Sequence, residues 1–349
     1  MSRNLEKEQS DPLEEFGQSE RIIYVKHLAR SRSRLRERNR PASTTNKVLP
    51  ETLEDIEERT VSFDFTYCAS RYERQWLMDS LGGFYEQHWI DDVQKAVKGG
   101  KEASVYLCTS HPGTGAEYMA AKVYRPRRFR QLKNDAAYRE GRINLDDSGN
   151  VIKDDRMNRA MNKRTAFGQD LLHTSWIEYE FQALRLLHDA GVDTPRPFTR
   201  GSNAILMEYI GDPGTPAPTL NSIKLSLSEA RSLMERVLHN ISLMLVHNKV
   251  HADLSAYNIL YWAGEISIID FPQVVNPEEN RNAFYFFERD VTRVCSYFEE
   301  QGLRLNSRQL AVDLWRAGKR QPGPQIHPKD LDASSEEDRA YWAKFGEGR

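Results

Sequence analysis

The spacing of apolar side chains changes along the chain and predicts a succession of elements. Residues 1–48 are charged and carry no apolar periodicity, so they are expected to form a disordered arm that buries too little surface to order itself. Over 49–89 aromatic side chains crowd in, and Trp76, Leu77 and Leu81 stand near helical spacing, which predicts a packed extension. Ile90 to Leu107 reads as two β-prone runs around a turn holding Gly99 and Gly100, and Tyr118 to Tyr124 alternates as a strand does. Ser175 to His188 places Ile177, Phe181 and Leu184 on one helical face, with Gly191 where a helix end favours glycine. Two short strands follow between Pro195 and Ile210, ending at a Gly- and Pro-rich linker. Ser226 and Glu229 form a capping box that opens a long helix with Leu233, Val237, Ile241 and Leu245 as its buried stripe. A strand ending at Asp270 and a helix starting near Asn282 complete the pattern.

These elements predict an α+β chain. A β-rich first lobe with one main helix spans 90–211 and is interrupted by a long polar insertion at 125–170; a mostly helical second lobe spans 212–320, and 321–349 is a polar tail.

Composition narrows the picture mainly by exclusion. Lys and Arg total 49 against 51 Asp and Glu, so only local charge clusters can point to a partner. Arginine takes every second position from Arg30 to Arg40, which reads first as a solvated tail and second as an arm for RNA phosphates. The 125–170 interval is rich in basic residues, Arg125, Arg127, Arg128 and Arg130 among them, and reads as a flexible loop that contacts substrate. Cys68, Cys108 and Cys295 are widely separated and suit free thiols in a reducing compartment. No apolar run approaches the roughly 20 residues of a membrane span. A soluble, cytoplasmic protein without a membrane partner is expected.

The chemistry concentrates between Val250 and Gln273. His251, Asp253 and Asn258 fall in the order H-x-D-x-x-x-x-N, followed by I-I-D ending at Asp270, a spacing used in protein-kinase-like phosphoryl transfer. It predicts an ATP-dependent phosphotransferase. Asp253 would accept or orient the attacking hydroxyl or water. Asn258 and Asp270 would hold Mg²⁺ (or Mn²⁺) through oxygen, and His251 would brace the loop. Upstream, Gly100, Lys101, Glu102, Ala103, Ser104 and Val105 form a candidate ATP-covering loop. Gly100 and Val105 match the kinase glycine pattern, whereas Lys98 and Ala103 replace its first and last glycines. Lys122, in an A-x-K strand, would hold the α- and β-phosphates, oriented by Glu180 with Glu178 as the competitor; Ala183 and Leu184 favour Glu180 by anchoring its turn. Met207, Glu208 and Ile210 end a strand where backbone groups could read an adenine edge. His247 and His251 have i, i+4 spacing, but no glutamate or third ligand sits where zinc chemistry would require it.

The segments GGKEASVY, HADLSAYNIL, IIDFPQ and FFERDVTRV closely resemble the RIO-type atypical serine protein kinases, over roughly Ile90 to Gln301. The resemblance implies a reduced two-lobed kinase fold without the usual activation loop. It carries Lys122 to the phosphates, Asp253 to catalysis, and Asn258 with Asp270 to magnesium. It also makes Asp270 a candidate phosphoryl acceptor in an ATPase cycle. HADLS resembles one subfamily and DFPQ another, and the short stretch before Ile90 favours the subfamily without an N-terminal winged helix. The protein substrate would include the chain itself. An alternative is a ribosome-precursor binding factor that uses ATP hydrolysis as a timing switch, contacting RNA through Arg30 to Arg40 and the 125–170 loop. A second is a small-molecule kinase resembling aminoglycoside or choline phosphotransferases, which share the His251 motif, although their glycine loop and acidic substrate pocket are not evident here.

Overall fold

The computed structural model describes residues 63–125, 137–138 and 140–318. The arm at 1–48, Arg30 to Arg40 within it, and the tail at 321–349 lie outside the described residues. The chain divides into two compact units on either side of residue 130.

In the first unit, helix α1 (Arg71–Glu86) is capped by Ser70, whose side chain accepts from the Glu73 N–H. It precedes an antiparallel meander of β1 (Ile90–Gly99), β2 (Ala103–Ser110) and β3 (Tyr118–Tyr124). The aromatic stretch is core: Phe63, Phe65, Trp76, Leu77, Leu81 and Phe84 are buried. Its polar keystone is Glu73, wholly enclosed, which accepts from the Tyr106 hydroxyl of β2 at 2.7 Å. Burial beside that carboxylate pushes the Tyr106 phenol far above its ordinary range.

The second unit begins, among the described residues, with 137–138 and 140–142. Helices α2 (Asp155–Asn162) and α3 (Ala166–Asp189) follow. Much of the interval expected to be a structureless insertion is therefore ordered. Ile152, Met161 and Leu172 form a small core of their own there, and α3 starts behind a Thr165 cap, earlier than the apolar spacing suggested. The reason lies in Gly168, where a Cβ would fall 1.9 Å from the Ala160 carbonyl oxygen, so α2 and α3 touch backbone to backbone. A contact made through a missing side chain leaves no apolar signature.

Next come the hairpin β4 (Pro197–Arg200) and β5 (Ala204–Glu208), the short pair β6 (Gly211–Asp212) and β7 (Thr215–Pro216), and helix α4 (Leu227–Val246), with the capping box in place. Hairpin β8 (Ile259–Trp262) and β9 (Glu265–Ile268) and helices α5 (Ala283–Glu300) and α6 (Ser307–Ala317) end the described chain. One core joins these parts: Leu184 and Leu187 of α3, Val237, Ile241 and Leu245 of α4, Ile259 and Ile268 of the hairpin, and Phe286, Val291, Val294 and Phe298 of α5. All three cysteines are free, and burial pushes the Cys295 thiol to about 11 and Cys108 higher still. Among the described residues no helix is long and apolar enough to cross a membrane.

Candidate active site

Helix α4 delivers the chain to a loop whose two ends are stitched together. Val250 and Val275 exchange backbone hydrogen bonds at 3.0 and 2.9 Å, closing the interval that holds the whole H-x-D-x-x-x-x-N and I-I-D pattern. Inside it His251 is buried, with its ring 4.9 Å from that of Phe271 and its Nε2 3.1 Å from the Ile269 carbonyl. An imidazole facing a carbonyl donates to it, so His251 braces the segment before Asp270. Asn258 Nδ2 donates to the Asp253 carbonyl at 2.9 Å, and the Ile269 N–H donates to the Asn258 carbonyl at 2.9 Å. Asp253, Asn258 and the residue before Asp270 are thus linked by two hydrogen bonds.

Two backbone conformations aim the carboxylates. Ala252, ahead of Asp253, has φ +63, and Asp270 has φ +73; non-glycine residues at such angles cost of order 1–3 kcal/mol and persist only where the surroundings impose them. Those surroundings come from α5. Arg289 Nη2 donates to the Ala252 carbonyl, Arg293 Nη1 donates to Asp253 Oδ1 at 3.1 Å, and Asp290 is buried beside them. Burial pushes the Asp290 carboxyl up to about 8, against the pull of Arg289. Sequence reasoning quoted the ERDVTR run without giving its members roles. The signal was present: Arg289, Asp290 and Arg293 sit at i, i+1 and i+4, with the two arginines one turn apart on one face.

A divalent cation fits the donors present. Because its nitrogen faces the Asp253 carbonyl, the Asn258 amide oxygen points the other way, and Asp270 supplies a hard anionic oxygen at the adjoining strand end. Among the described residues no group of three or more His, Cys, Asp or Glu gathers as a closed metal cage. Mg²⁺ suits such a site, since it keeps waters and phosphate oxygens in its shell.

The phosphate-loop residues lie in the first unit. A Cβ on Gly100 would fall 2.8 Å from the Ala103 carbonyl oxygen, whereas one on Gly99 would meet nothing within 4 Å, so Gly100 is the glycine the turn requires. The Glu102 carbonyl accepts from the Arg125 N–H at 2.9 Å, tying the turn to the end of β3. Val105 pairs with Lys122 across the sheet, on the face opposite Tyr106 and Ala121. Ser104 is wholly buried. Lys101 is exposed and Ala103 half-buried.

Glu180 and the strand end lie in the second unit. Glu178, the competitor, is engaged by Arg200 and by Gln182. At the strand end the Glu208 N–H is occupied by the Arg196 carbonyl at 2.8 Å and the Ile210 carbonyl by the Ala217 N–H at 3.0 Å. A purine edge reaching Met207 to Ile210 would have the Glu208 carbonyl and the Ile210 N–H to read.

A family model for the RIO domain matches residues 104–310, more than half of the chain. The chain belongs to the RIO domain family. Among curated RIO relatives, it is 28% identical over 225 residues to the serine/threonine-protein kinase rio1 of Schizosaccharomyces pombe, covering 64% of this chain and 40% of that protein. It is 30% identical over 216 residues to human serine/threonine-protein kinase RIO1, covering 60% of this chain and 34% of the human one. The RIO-type kinase Rio1 of Thermoplasma acidophilum is 31% identical over 128 residues, 37% of this chain and 66% of that protein. The chain therefore spans less than half the length of the two eukaryotic RIO relatives. A solved structure of Rio2 kinase from Chaetomium thermophilum, described as an ADP/Mg²⁺-phosphoaspartate complex, aligns with 76% of this chain at TM-score 0.47 and 20% identity.

Proposed function

We propose that this chain is an ATP- and Mg²⁺-dependent RIO-type protein serine/threonine kinase that passes the γ-phosphoryl group to protein hydroxyls, its own included, or to water. The observation that carries this reading is the pair of bonds joining Asp253, Asn258 and the Asp270 strand end, with Arg293 on the Asp253 carboxylate. Membership of the RIO family and the names of its curated relatives support it.

Phosphoryl transfer through a loose transition state demands alignment and charge neutralisation more than covalent help. Asp253 orients the attacking hydroxyl and takes its proton, Lys122 holds the α- and β-phosphates, and the Gly100 turn supplies backbone N–H groups for phosphate oxygens. Asn258 and Asp270 would hold magnesium, which would supply charge neutralisation for the transferring group. Asp270 is also a candidate acceptor of that group, by its place in the resemblance.

For the finer partner we propose a ribosomal precursor or RNA, on the alternating arginines from Arg30 to Arg40 and the basic residues after Lys122. Free thiols suit a cytoplasmic setting.

The test measures free phosphate and protein-bound phosphate from labelled ATP for wild type and Asp253→Ala. Loss of an acid/base group costs about 10²- to 10⁴-fold, so both products should fall by that much; a variant within about threefold of wild type would sink the assignment.

A further inference from the structure

Residues 137–138 and 140–142 act as a strap fastened onto the site's own scaffold. Asn280 Nδ2 donates to the carbonyls of Ala137 (2.8 Å) and Glu140 (3.1 Å), and the Glu140 carboxylate accepts from Asn282 and pairs with Arg281. Gly141, at φ +74, passes so close to Glu279 that a Cβ would lie 2.6 Å from it. Arg142 donates to the carbonyls of Pro272 and Val274, just beyond Asp270.

Tyr138 does something the other members of the strap do not. Its ring stacks on Phe286, with centroids 4.5 Å apart, and its hydroxyl accepts from Arg289 Nη1 at 3.1 Å. The same guanidinium donates through Nη2 to the Ala252 carbonyl. Arg289 lies among the rings of Tyr138, Tyr285 and Phe286, and its Nε is buried without a hydrogen-bond partner. Aromatic faces attract a cation without fixing its rotation, so the two Nη bonds set which way the guanidinium points. Burial, opposed by Arg289 and reinforced by the charge of Asp253, raises the Tyr138 pKa and keeps the phenol neutral.

We propose that Tyr138 is a positioning residue for phosphoryl transfer: through Arg289 it fixes the Ala252 carbonyl, and with it the strained backbone that aims Asp253. The strap thereby reaches Asp253 through Arg289. This rests on the reading of Asp253 as the group that handles the acceptor.

Tyr138→Phe in the full chain keeps the stacked ring and deletes only the oxygen that Arg289 binds. Two measurements are made on it: amide hydrogen exchange over residues 250–258, and kcat and KM for ATP. The expected result is about tenfold faster exchange in that segment and a fall in kcat of about tenfold, the scale of one lost hydrogen bond to a charged group, with KM for ATP within about twofold. Unchanged exchange at 250–258 overturns the proposal whatever the activity, and so does faster exchange with unchanged kcat. If the wild type turns over no ATP, the kinase reading fails by itself, and exchange alone then decides whether Tyr138 holds the loop.

Discussion

Arg293 reaches from the middle of α5 to the Asp253 carboxylate, Nη1 to Oδ1 at 3.1 Å, one helical turn beyond the arginine that holds the Ala252 carbonyl. One helix thus grips the Asp253 loop by side chain and by backbone. Both partners of the ion pair are partly exposed, at 29% and 39%. Such pairs contribute about 0.2–1 kcal/mol to stability. Arg293→Gln should accordingly shift the melting temperature little while lowering kcat at least about threefold, with KM for ATP unmoved. A melting loss that accounts for the whole activity loss would make the contact merely structural.

Asp270 allows charge and backbone to be tested apart. Its φ of +73 is one that asparagine tolerates and alanine does not. Asp270→Asn should melt within about 0.5 kcal/mol of wild type yet lose about 10²-fold or more in ATP turnover, while Asp270→Ala should lose stability as well. An active Asn variant would remove Asp270 from the metal site.

Asp290 makes stability depend on pH in an unusual direction. Its carboxyl titrates near 3.8 ordinarily and at about 8 in the fold, chiefly because it is buried. Between those values the folded protein keeps a proton that the unfolded chain has released, so the contribution of this group to stability falls as pH rises toward about 8 and is flat above it. Asp290→Asn lacks that loss. Its melting temperature relative to wild type should climb from about pH 5 to about pH 9, and a flat or declining difference would contradict the buried, protonated carboxyl.

The two adjacent glycines should separate cleanly. Gly100→Ala places a methyl group 2.8 Å from a backbone oxygen and must open the turn, whereas Gly99→Ala meets open space. Raised KM for ATP, by about fivefold or more, is expected for Gly100→Ala and not for Gly99→Ala. Equal effects of the two would argue against a phosphate-covering role for this turn.

Much of this architecture was legible in the chain alone. Two β-prone runs around a glycine turn marked β1 and β2, alternation marked β3, the Ser226–Glu229 box marked where α4 begins, and the order His251, Asp253, Asn258, Asp270 pointed to the chemistry, because each signal is local. The α3 start was missed, since the contact at Gly168 is made by backbone. The Arg200–Glu178 pair was not legible either, because its members lie far apart in the chain.

The sequence by itself determined which residue types could bind a nucleotide and perform transfer, through motif order, turn chemistry and apolar period. Only the tertiary structure decided how they are held. The strain at Ala252, the grip of Arg289 and Arg293, the raised carboxyl of Asp290 and the strap through Tyr138 all join residues far apart in the chain. Their energies come from burial and from contacts between distant segments, which a one-dimensional pattern does not encode.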